Sequence, residues 1–151
     1  MAQYHHGDLK SALIDAAIEF LKTKSASELS LRDLARRAGV SQAAPYRHFK
    51  DKEALLAAIM QQGFELKAQY MQTALKKSHK NLEDLFYNCG LAYFQMGLKH
   101  PQHFQLMFSA DIVIDERYPE LQRAASATFV MLKNMIVHCQ RKGLLGKGDP
   151  Y

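Results

Sequence analysis

The sequence predicts an all-α protein: an N-terminal three-helix domain over residues 1–54, joined through a fourth helix to a helical domain over residues 55–151. Apolar residues recur at three- and four-residue spacing through most of the chain, which is the helical period. The breaks between these segments carry Ser, Asp, Asn, Gly and Pro, the residues that begin and end helices. The one strand-like run, DIVID at 111–115, is short and lies in a predicted loop.

Composition narrows the class of protein. The 151 residues are 48% hydrophobic and 23% charged, enough for a packed core. No apolar run reaches the ~20 residues of a membrane span, and the start MAQYHHGDLK lacks a signal-peptide core, so we expect a cytoplasmic protein with no membrane partner. The net charge of +5 permits an anionic partner without proving one. Cys89 and Cys139 lie in apolar helical patterns, which favours buried free thiols.

Capping and turn residues mark the ends of the first two helices. The first is predicted from Asp8, as its cap, to about Lys24. The second begins after Ser30, with Asp33 three residues on where a capping box places an acid, and it ends at Gly39.

The next two helices complete the first half. The third is predicted over QAAPYRHF, residues 42–49, with Ser41 as its cap. The fourth begins after Asp51 and runs to about Lys77, so that it belongs to both domains.

Three further helices are predicted in the second half. One follows Asn81 and ends near His100, with acids in its first turn and bases in its last, the order that a helix dipole favours. The next covers residues 101–110, and the last runs from Pro119 to Gly143.

The second and third helices, joined by AGVS at 38–41, form a predicted helix-turn-helix. Gly39 tolerates the positive φ of a sharp turn, and Val40 fills the apolar seam. The third helix is then the one that would enter a major groove. Pro45 stands at the edge of a turn whose amides lack helical partners, so it shortens or tightens this helix without breaking it.

The residue types of this segment suit DNA. Ala43 and Ala44 let the backbone approach bases, and Gln42 can pair with adenine. The flank is basic and lacks acids between Asp33 and Asp51; it consists of Arg36, Arg37, Arg47 and Lys50. Helix-turn-helix shapes also occur in proteins that never touch DNA, and Arg36 and Arg37 suit a solvated face equally well. Spacing alone leaves both interpretations open.

Residues 29–59, LSLRDLARRAGVSQAAPYRHFKDKEALLAAI, resemble the DNA-binding domain of the TetR family of bacterial transcriptional regulators. The residues that fall at the family's positions are Ala38, Gly39, Val40, Tyr46, Phe49, Lys52 and Leu55. YHHGDLK at 4–10 and HPQHFQLMF at 100–108 resemble one subgroup more loosely. The resemblance implies DNA binding.

The resemblance also implies roles for individual residues. It places on the base-reading face Gln42, Ala43, Ala44 and Arg47, and it counts the cap Ser41 among the DNA-binding residues. It places Tyr46, His48 and Lys52 on phosphates. Ser30 and Arg32 lie at the start of the second helix, which often contacts phosphates too. Pro45 departs from the commonest family pattern and leaves the base assignments open.

The second half is rich in Phe, Met and Gly. The plain interpretation is helical core; the sharper one is an adaptable apolar pocket. The residues that we predict to line it are Phe86, Cys89, Tyr93, Phe104, Met107, Phe108, Phe129 and Leu132. No buried charge is evident in residues 81–142, which favours an apolar or weakly polar ligand. The resemblance supports a pocket, because the family's regulatory domains typically bind an effector there.

The leading hypothesis is a ligand-responsive regulator that acts as a repressor and is released from a palindromic operator by a small apolar effector; the sequence alone leaves repressor and activator both open. A homodimer would place two recognition helices ~34–36 Å apart on double-stranded DNA. The alternative is a DNA-binding protein without a small ligand, whose C-terminal half serves only assembly or protein contacts.

We predict neither catalysis nor a cofactor or metal. The sequence has no P-loop, nucleophile elbow or glycine-rich cofactor loop. His5 with His6, and His100 with His103, have spacings that a metal could use, but neither pair has a carboxylate or cysteine at matching spacing.

The final residues, RKGLLGKGDPY, predict a helix end at Gly143 and the start of another helix at Asp149 and Pro150. Proteins that resemble this chain continue through two more helices, which form a four-helix dimer interface. We therefore expect that the regulatory domain lacks its last two helices, that an apolar face is exposed, and that the homodimer forms tightly only in a longer chain.

Overall fold

The computed structural model of the protein describes residues 9–110 and 112–150. Within these residues all the regular secondary structure is helical, and no strand is formed. The α-helices are α1 (Leu9–Leu21), α2 (Leu31–Arg37), α3 (Lys52–Leu75), α4 (Leu82–Lys99), α5 (Pro101–Met107) and α6 (Pro119–Arg141). Two 3-10 turns cover Ala26–Glu28 and Pro45–Arg47. The all-α prediction is confirmed. No helix in the described part is long and apolar enough to cross a membrane.

Most of the predicted helix ends are present. The Asp51 Oδ1 accepts a hydrogen bond of 2.8 Å from the Ala54 amide, and Asn81 Oδ1 accepts one of the same length from the Asp84 amide. Pro101 and Pro119 stand at the start of α5 and α6. The predicted cap Asp8 lies outside the described residues.

The predicted cap of α2 is different. Ser30 makes no side-chain capping hydrogen bond, and the Asp33 carboxylate accepts one of 2.8 Å from Arg36 Nη2 and does not close a capping box. A capping interaction lies one segment earlier: the Ser25 amide donates to Glu28 Oε1 at 3.2 Å. Residues 26–28, between the first two helices, therefore form a short 3-10 turn.

Helix α3 contributes residues to both clusters of buried apolar side chains. Its first half contributes Leu55, Leu56 and Ile59 to a core that it shares with α1 and α2. Its second half carries Met71 and Ala74 into a separate cluster with α4. The N-terminal residues and the C-terminal helices are thus built on one continuous helix.

Helix α5 crosses α3 at Gly63, which has no side chain in the way. A Cβ at this position would lie 2.7 Å from Met107 Sδ and 3.3 Å from the His103 Cβ, well inside contact distance. Gly63 and Met107 are both buried, so the neighbouring atoms have little room to move. The close approach of the two helices therefore depends on glycine.

The two cysteines are free and completely buried, as the sequence predicts. Cys89 belongs to the cluster of α3 and α4, and Cys139 lies near the end of α6. Burial raises the pKa of both thiols. A smaller fraction of each thiol is therefore present as the reactive thiolate.

Two glycine substitutions test the crossing. Gly63→Ala adds a methyl group to a packed contact, an overpacking cost of about 1–3 kcal/mol, partly offset by the ~1 kcal/mol by which alanine favours a helix. Gly90→Ala is the matched control, because a Cβ there meets no atom within 4 Å and only the helix gain remains. Urea unfolding should place Gly63→Ala at least about 1 kcal/mol below Gly90→Ala. Equal stabilities would contradict the crossing.

Candidate nucleic-acid interface

The turn after α2 closes on Gly39, whose φ is +67°. The Gly39 amide donates to the Arg36 carbonyl at 3.2 Å, and the Val40 amide donates to the Ala35 carbonyl at 3.0 Å. This pair of bonds is a Schellman motif, which satisfies the last carbonyls of α2 and needs a left-handed residue. Gly39 therefore sets the angle at which the chain leaves α2.

The predicted third helix, residues 42–49, is wrong in its form. The chain makes a turn and then a 3-10 segment at Pro45–Arg47. The Ala44 amide donates to Ser41, and the His48 amide donates to Pro45, each at 3.0 Å and three residues apart. Pro45 has no N–H to give to a helical bond, so the segment winds more tightly than an α-helix.

This short turn has an anchored side and a free side. Pro45 and Phe49 are buried against the core, whereas Tyr46 is 49% exposed. The other residues that project into solvent are Ser41, Gln42, Ala43, Arg47 and His48. Ala44 is half-buried at the boundary. The predicted base-reading residues thus lie on one accessible edge, apart from Ala44, which lies where this edge meets the protein core.

The predicted phosphate contacts flank this edge. Arg32 is exposed and Ser30 is half-buried at the start of α2. Lys52 Nζ donates a 3.1 Å hydrogen bond to the carbonyl of Ser27. Lys52 therefore also ties the start of α3 to the first 3-10 turn, a contact across 25 residues that local sequence patterns do not reveal.

The basic flank divides into paired and unpaired cations. Arg36 forms an ion pair with Asp33, and the Arg37 guanidinium lies 5.4 Å from the centre of the Phe20 ring. None of the ion pairs among the described residues involves Arg32, Arg47 or Lys50. The unpaired cations are therefore those nearest the exposed turn and the start of α2.

The residues predicted for a ligand pocket are only partly brought together. Three of them form a chain of rings, with centroids 5.4 Å apart from Tyr93 to Phe104 and 5.0 Å apart from Phe104 to Phe108. The remaining ones are distributed: Cys89 and Met107 are buried, and Phe86, Phe129 and Leu132 are exposed.

An apolar groove of about 580 Å³ runs along α4, and sequence reasoning missed most of it. Only Phe86 was predicted among its lining residues, which also include Tyr87, Gly90, Leu91, Phe94, Leu144 and Leu145. The signal was present in Phe86, Gly90 and Phe94, two aromatic residues and a glycine at four-residue spacing, but that pattern is equally typical of a buried stripe.

Exposed apolar side chains extend beyond this groove. Leu98 on α4 is 82% exposed, and Phe129 on α6 is 60% exposed. The others on these helices and in the loop between α5 and α6 are Phe86, Tyr87, Leu91, Phe94, Phe108, Val113, Ile114, Val130 and Leu132. Large apolar side chains exposed in this number are typical of an association surface.

Residues 13–59 match the family described as bacterial regulatory proteins, tetR family. This is the segment that forms α1, α2, the exposed turn and the first third of α3. Over these residues, about a third of its length, the chain is similar to the TetR family.

Solved structures agree with the TetR fold over nearly the whole chain. A protein of unknown function from a Rhodococcus species is 31% identical, with 99% of this chain and 77% of that one covered and a TM-score of 0.80. The TetR family transcriptional regulator PfmR from Thermus thermophilus is 18% identical, with coverage of 91% and 75% and a TM-score of 0.73. AibR, in complex with isovaleryl coenzyme A and operator DNA, is 17% identical, with coverage of 93% and 77% and a TM-score of 0.74. The last two likenesses show the fold alone.

A curated relative also matches part of this chain. It is described as an uncharacterized HTH-type transcriptional regulator from Haemophilus influenzae and is 39% identical over 69 residues. The match covers 45% of this chain and 34% of that protein, so it spans about a third of the relative's length.

The histidines that the sequence analysis weighed for metal binding have other partners. His100 Nε2 lies 3.4 Å from the Tyr70 hydroxyl, and His103 Nε2 lies 3.5 Å from Gln62 Oε1. Burial lowers the pKa of His103, with His100 adding to that effect and Asp15 opposing it. Within the described residues, no group of three or more His, Cys, Asp or Glu side chains could hold a metal ion; His5 and His6 lie outside them.

Substitutions at Gly39 test the turn. A β-branched residue is poorly tolerated at positive φ, so Gly39→Val should lower the free energy of unfolding by about 1–2 kcal/mol or more. Gly39→Asn is the control, because asparagine visits this conformation far more readily, and its loss should be smaller. Urea titration measures both. If valine and asparagine cost the same, the left-handed conformation of Gly39 is not what the turn requires.

Proposed function

We propose that this chain is a sequence-specific, DNA-binding transcriptional regulator that acts as a repressor. The observation that carries the proposal is the exposed edge at residues 41–48, which has unpaired cations beside it and no acid within it. Pro45 and Phe49 hold this edge rigidly on the core. A rigid, protruding, cationic edge with small side chains suits insertion into a major groove.

The proposed contacts follow from exposure. Gln42 and Arg47 can reach base edges, while Ala43 and Ala44 keep the backbone close to the groove floor. We expect phosphates on either side to be contacted by Tyr46, His48, Lys52, Ser30 and Arg32. Because the reading element is a tight turn rather than a long helix, we expect few bases to be read by each copy.

Two copies would act together on a palindromic site. The exposed apolar side chains of α4 and α6, such as Phe94 and Phe129, supply a surface that fits self-association. A homodimer with its two exposed turns ~34–36 Å apart would contact successive major grooves on one side of double-stranded DNA.

An effector would work by changing that spacing. We propose a small effector with an apolar body, seated at the rings of Tyr93, Phe104 and Phe108. AibR, a structural neighbour of similar fold, is described in complex with isovaleryl coenzyme A and operator DNA, and another neighbour is described as a fatty acid degradation regulator. The wider pocket of the sequence analysis stays a prediction.

The route from effector to DNA is short. Phe104 lies on α5, and the same helix carries Met107 against Gly63 of α3. A displacement of α5 would therefore act directly on the helix that supports the exposed turn. The effector shifts the equilibrium only by its differential affinity for the two arrangements.

The second candidate function is a DNA-binding regulator whose C-terminal half serves only assembly or protein contacts. The exposure of Leu98 and Phe129 favours it, because those side chains face outwards rather than into a site. The two candidates share the DNA-binding end and differ in whether any small molecule changes the DNA affinity.

Selection of bound sites from random duplex DNA tests the shared function. We expect a palindromic consensus whose affinity falls steeply with salt. Gln42→Ala should relax one base position by about 1–3 kcal/mol, whereas Tyr46→Ala should weaken all duplexes alike. Fluorescence anisotropy on selected and shuffled duplexes measures both.

The matched control for charge is Lys147→Ala, which removes an exposed cation far along the chain. Arg32→Ala should reduce the salt slope by about one, and Lys147→Ala should leave it unchanged. Selection that returns no consensus, or binding that does not depend on salt, would contradict the proposal.

A further inference from the structure

Lys67 occupies a position that the pattern of α3 reserves for apolar residues. Phe64, Lys67, Met71 and Ala74 follow one another at three- and four-residue spacing on one stripe of the helix. Phe64 is buried in the main core, whereas Met71 and Ala74 are buried in the second cluster. Lys67 therefore stands on the stripe between the two clusters, at the place where the core is interrupted.

The ammonium group of Lys67 has no acidic partner. Among the described residues it makes no ion pair and no hydrogen bond, and Nζ lies 5.4 Å from the centre of the Tyr93 ring. The side chain is half-buried, and this burial lowers the pKa of Lys67. Lysine rarely occupies such a position unless it is paired, since removing an unpaired charge from water is costly.

Tyr93 presents a second donor that has no hydrogen-bond partner among the described residues. Its side chain is half-buried. Burial raises the pKa of Tyr93, so the hydroxyl keeps its proton and stays a donor. The Tyr93 ring also contacts Phe104, and Phe104 contacts Phe108. Two donors without acceptors thus adjoin a chain of aromatic rings.

We propose that Lys67 and Tyr93 bind the carboxylate of the effector, whose apolar body lies against Phe104 and Phe108. A carboxylate has the acceptor oxygens that these two donors lack, and hydrogen bonds to charged groups are the stronger kind. The ligand class is therefore an apolar chain carrying one carboxylate. This inference rests on the proposed function, because it concerns the effector site.

The positive charge of Lys67 changes the polarity expected of the ligand. Residues 81–142 by themselves show no buried charge and favour an apolar or weakly polar ligand. The charge comes instead from α3, outside that range, and the packing of α3 against α4 places it over Tyr93.

Isothermal titration calorimetry with three probes of equal chain length tests the site in the absence of DNA. The probes are octanoate, octanol and octylamine. We expect the chain to bind octanoate at least about tenfold more tightly than octanol, and octylamine most weakly. Lys67→Met should remove about tenfold or more of the octanoate affinity and leave octanol affinity unchanged or improved. Tyr93→Phe should weaken octanoate alone by a smaller factor.

Lys99→Met is the matched control. Lys99 Nζ also lies over an aromatic ring, 5.8 Å from the centre of Tyr70, but Lys99 is exposed at the end of α4. It should keep the preference for octanoate. A readout without ligand is the melting temperature, which Lys67→Met should raise by a few degrees, because methionine fits the apolar stripe without an unpaired charge. Lys67→Gln gives a second neutral variant if the methionine variant does not fold.

Three outcomes would overturn the proposal: equal affinity of the wild-type chain for octanoate and octanol, binding of none of the probes, or an unchanged octanoate preference in both Lys67 variants. These outcomes are separable from failure of the proposed function. Normal DNA binding without a preference for octanoate would contradict the carboxylate site alone. A preference for octanoate in a chain that selects no DNA sequence would contradict the proposed regulator and support the carboxylate site.

Discussion

The close crossing of α5 over α3 at Gly63 is the constraint on which the rest of the structure depends. Met107 and His103 of α5 reach the α3 backbone only because position 63 has no side chain. At this depth α5 also touches α1, with Asp15 near enough to His103 to influence its pKa. One short helix is thereby packed on both the DNA-binding end and the regulatory helices.

A consequence is that the two halves share one core. The main cluster of buried residues includes Leu13 of α1, Leu34 of α2, Leu55 of α3, Leu106 of α5 and Leu121 of α6. The orientation of the DNA-binding end therefore depends on apolar burial. Polar contacts also cross between the halves, as where Arg117 Nη1 lies 3.3 Å from Glu53 Oε2, but both side chains are about half exposed and such pairs contribute little.

The interior of the regulatory half is less complete than that of the DNA-binding end. The cluster around Met71 and Cys89 is small and separate, and the charge of Lys67 lies on the stripe that would otherwise connect it to the main core. Exposed aromatic residues on α4 add to this picture. Features that lower stability in this way commonly mark places where a protein binds something else, because binding groups are selected for contact rather than for folding. Both the proposed effector site and the proposed association surface lie in this half.

The sequence by itself determined the features whose causes are local. The caps Asp51 and Asn81, the prolines that open α5 and α6, and the glycine turns at Gly39 and Gly143 depend on neighbours within one helical turn, so all of them could be predicted from the residues. The exposure of Gln42 and Tyr46 follows in the same way from the motif, and their contacts with DNA stay predictions.

Only the tertiary structure decided the features that depend on distant partners. Lys52 reaches the Ser27 carbonyl, Lys67 reaches the Tyr93 ring, and Phe94 faces solvent although its spacing suits a core stripe equally well. Pro45 lies between these cases: the sequence predicts a tightened segment, but burial of the proline ring and the i+3 hydrogen bonds convert it into a 3-10 turn. Periodicity reports which residues share a helix face, whereas the packing of one helix on another determines which face is covered and which charge is left without a partner.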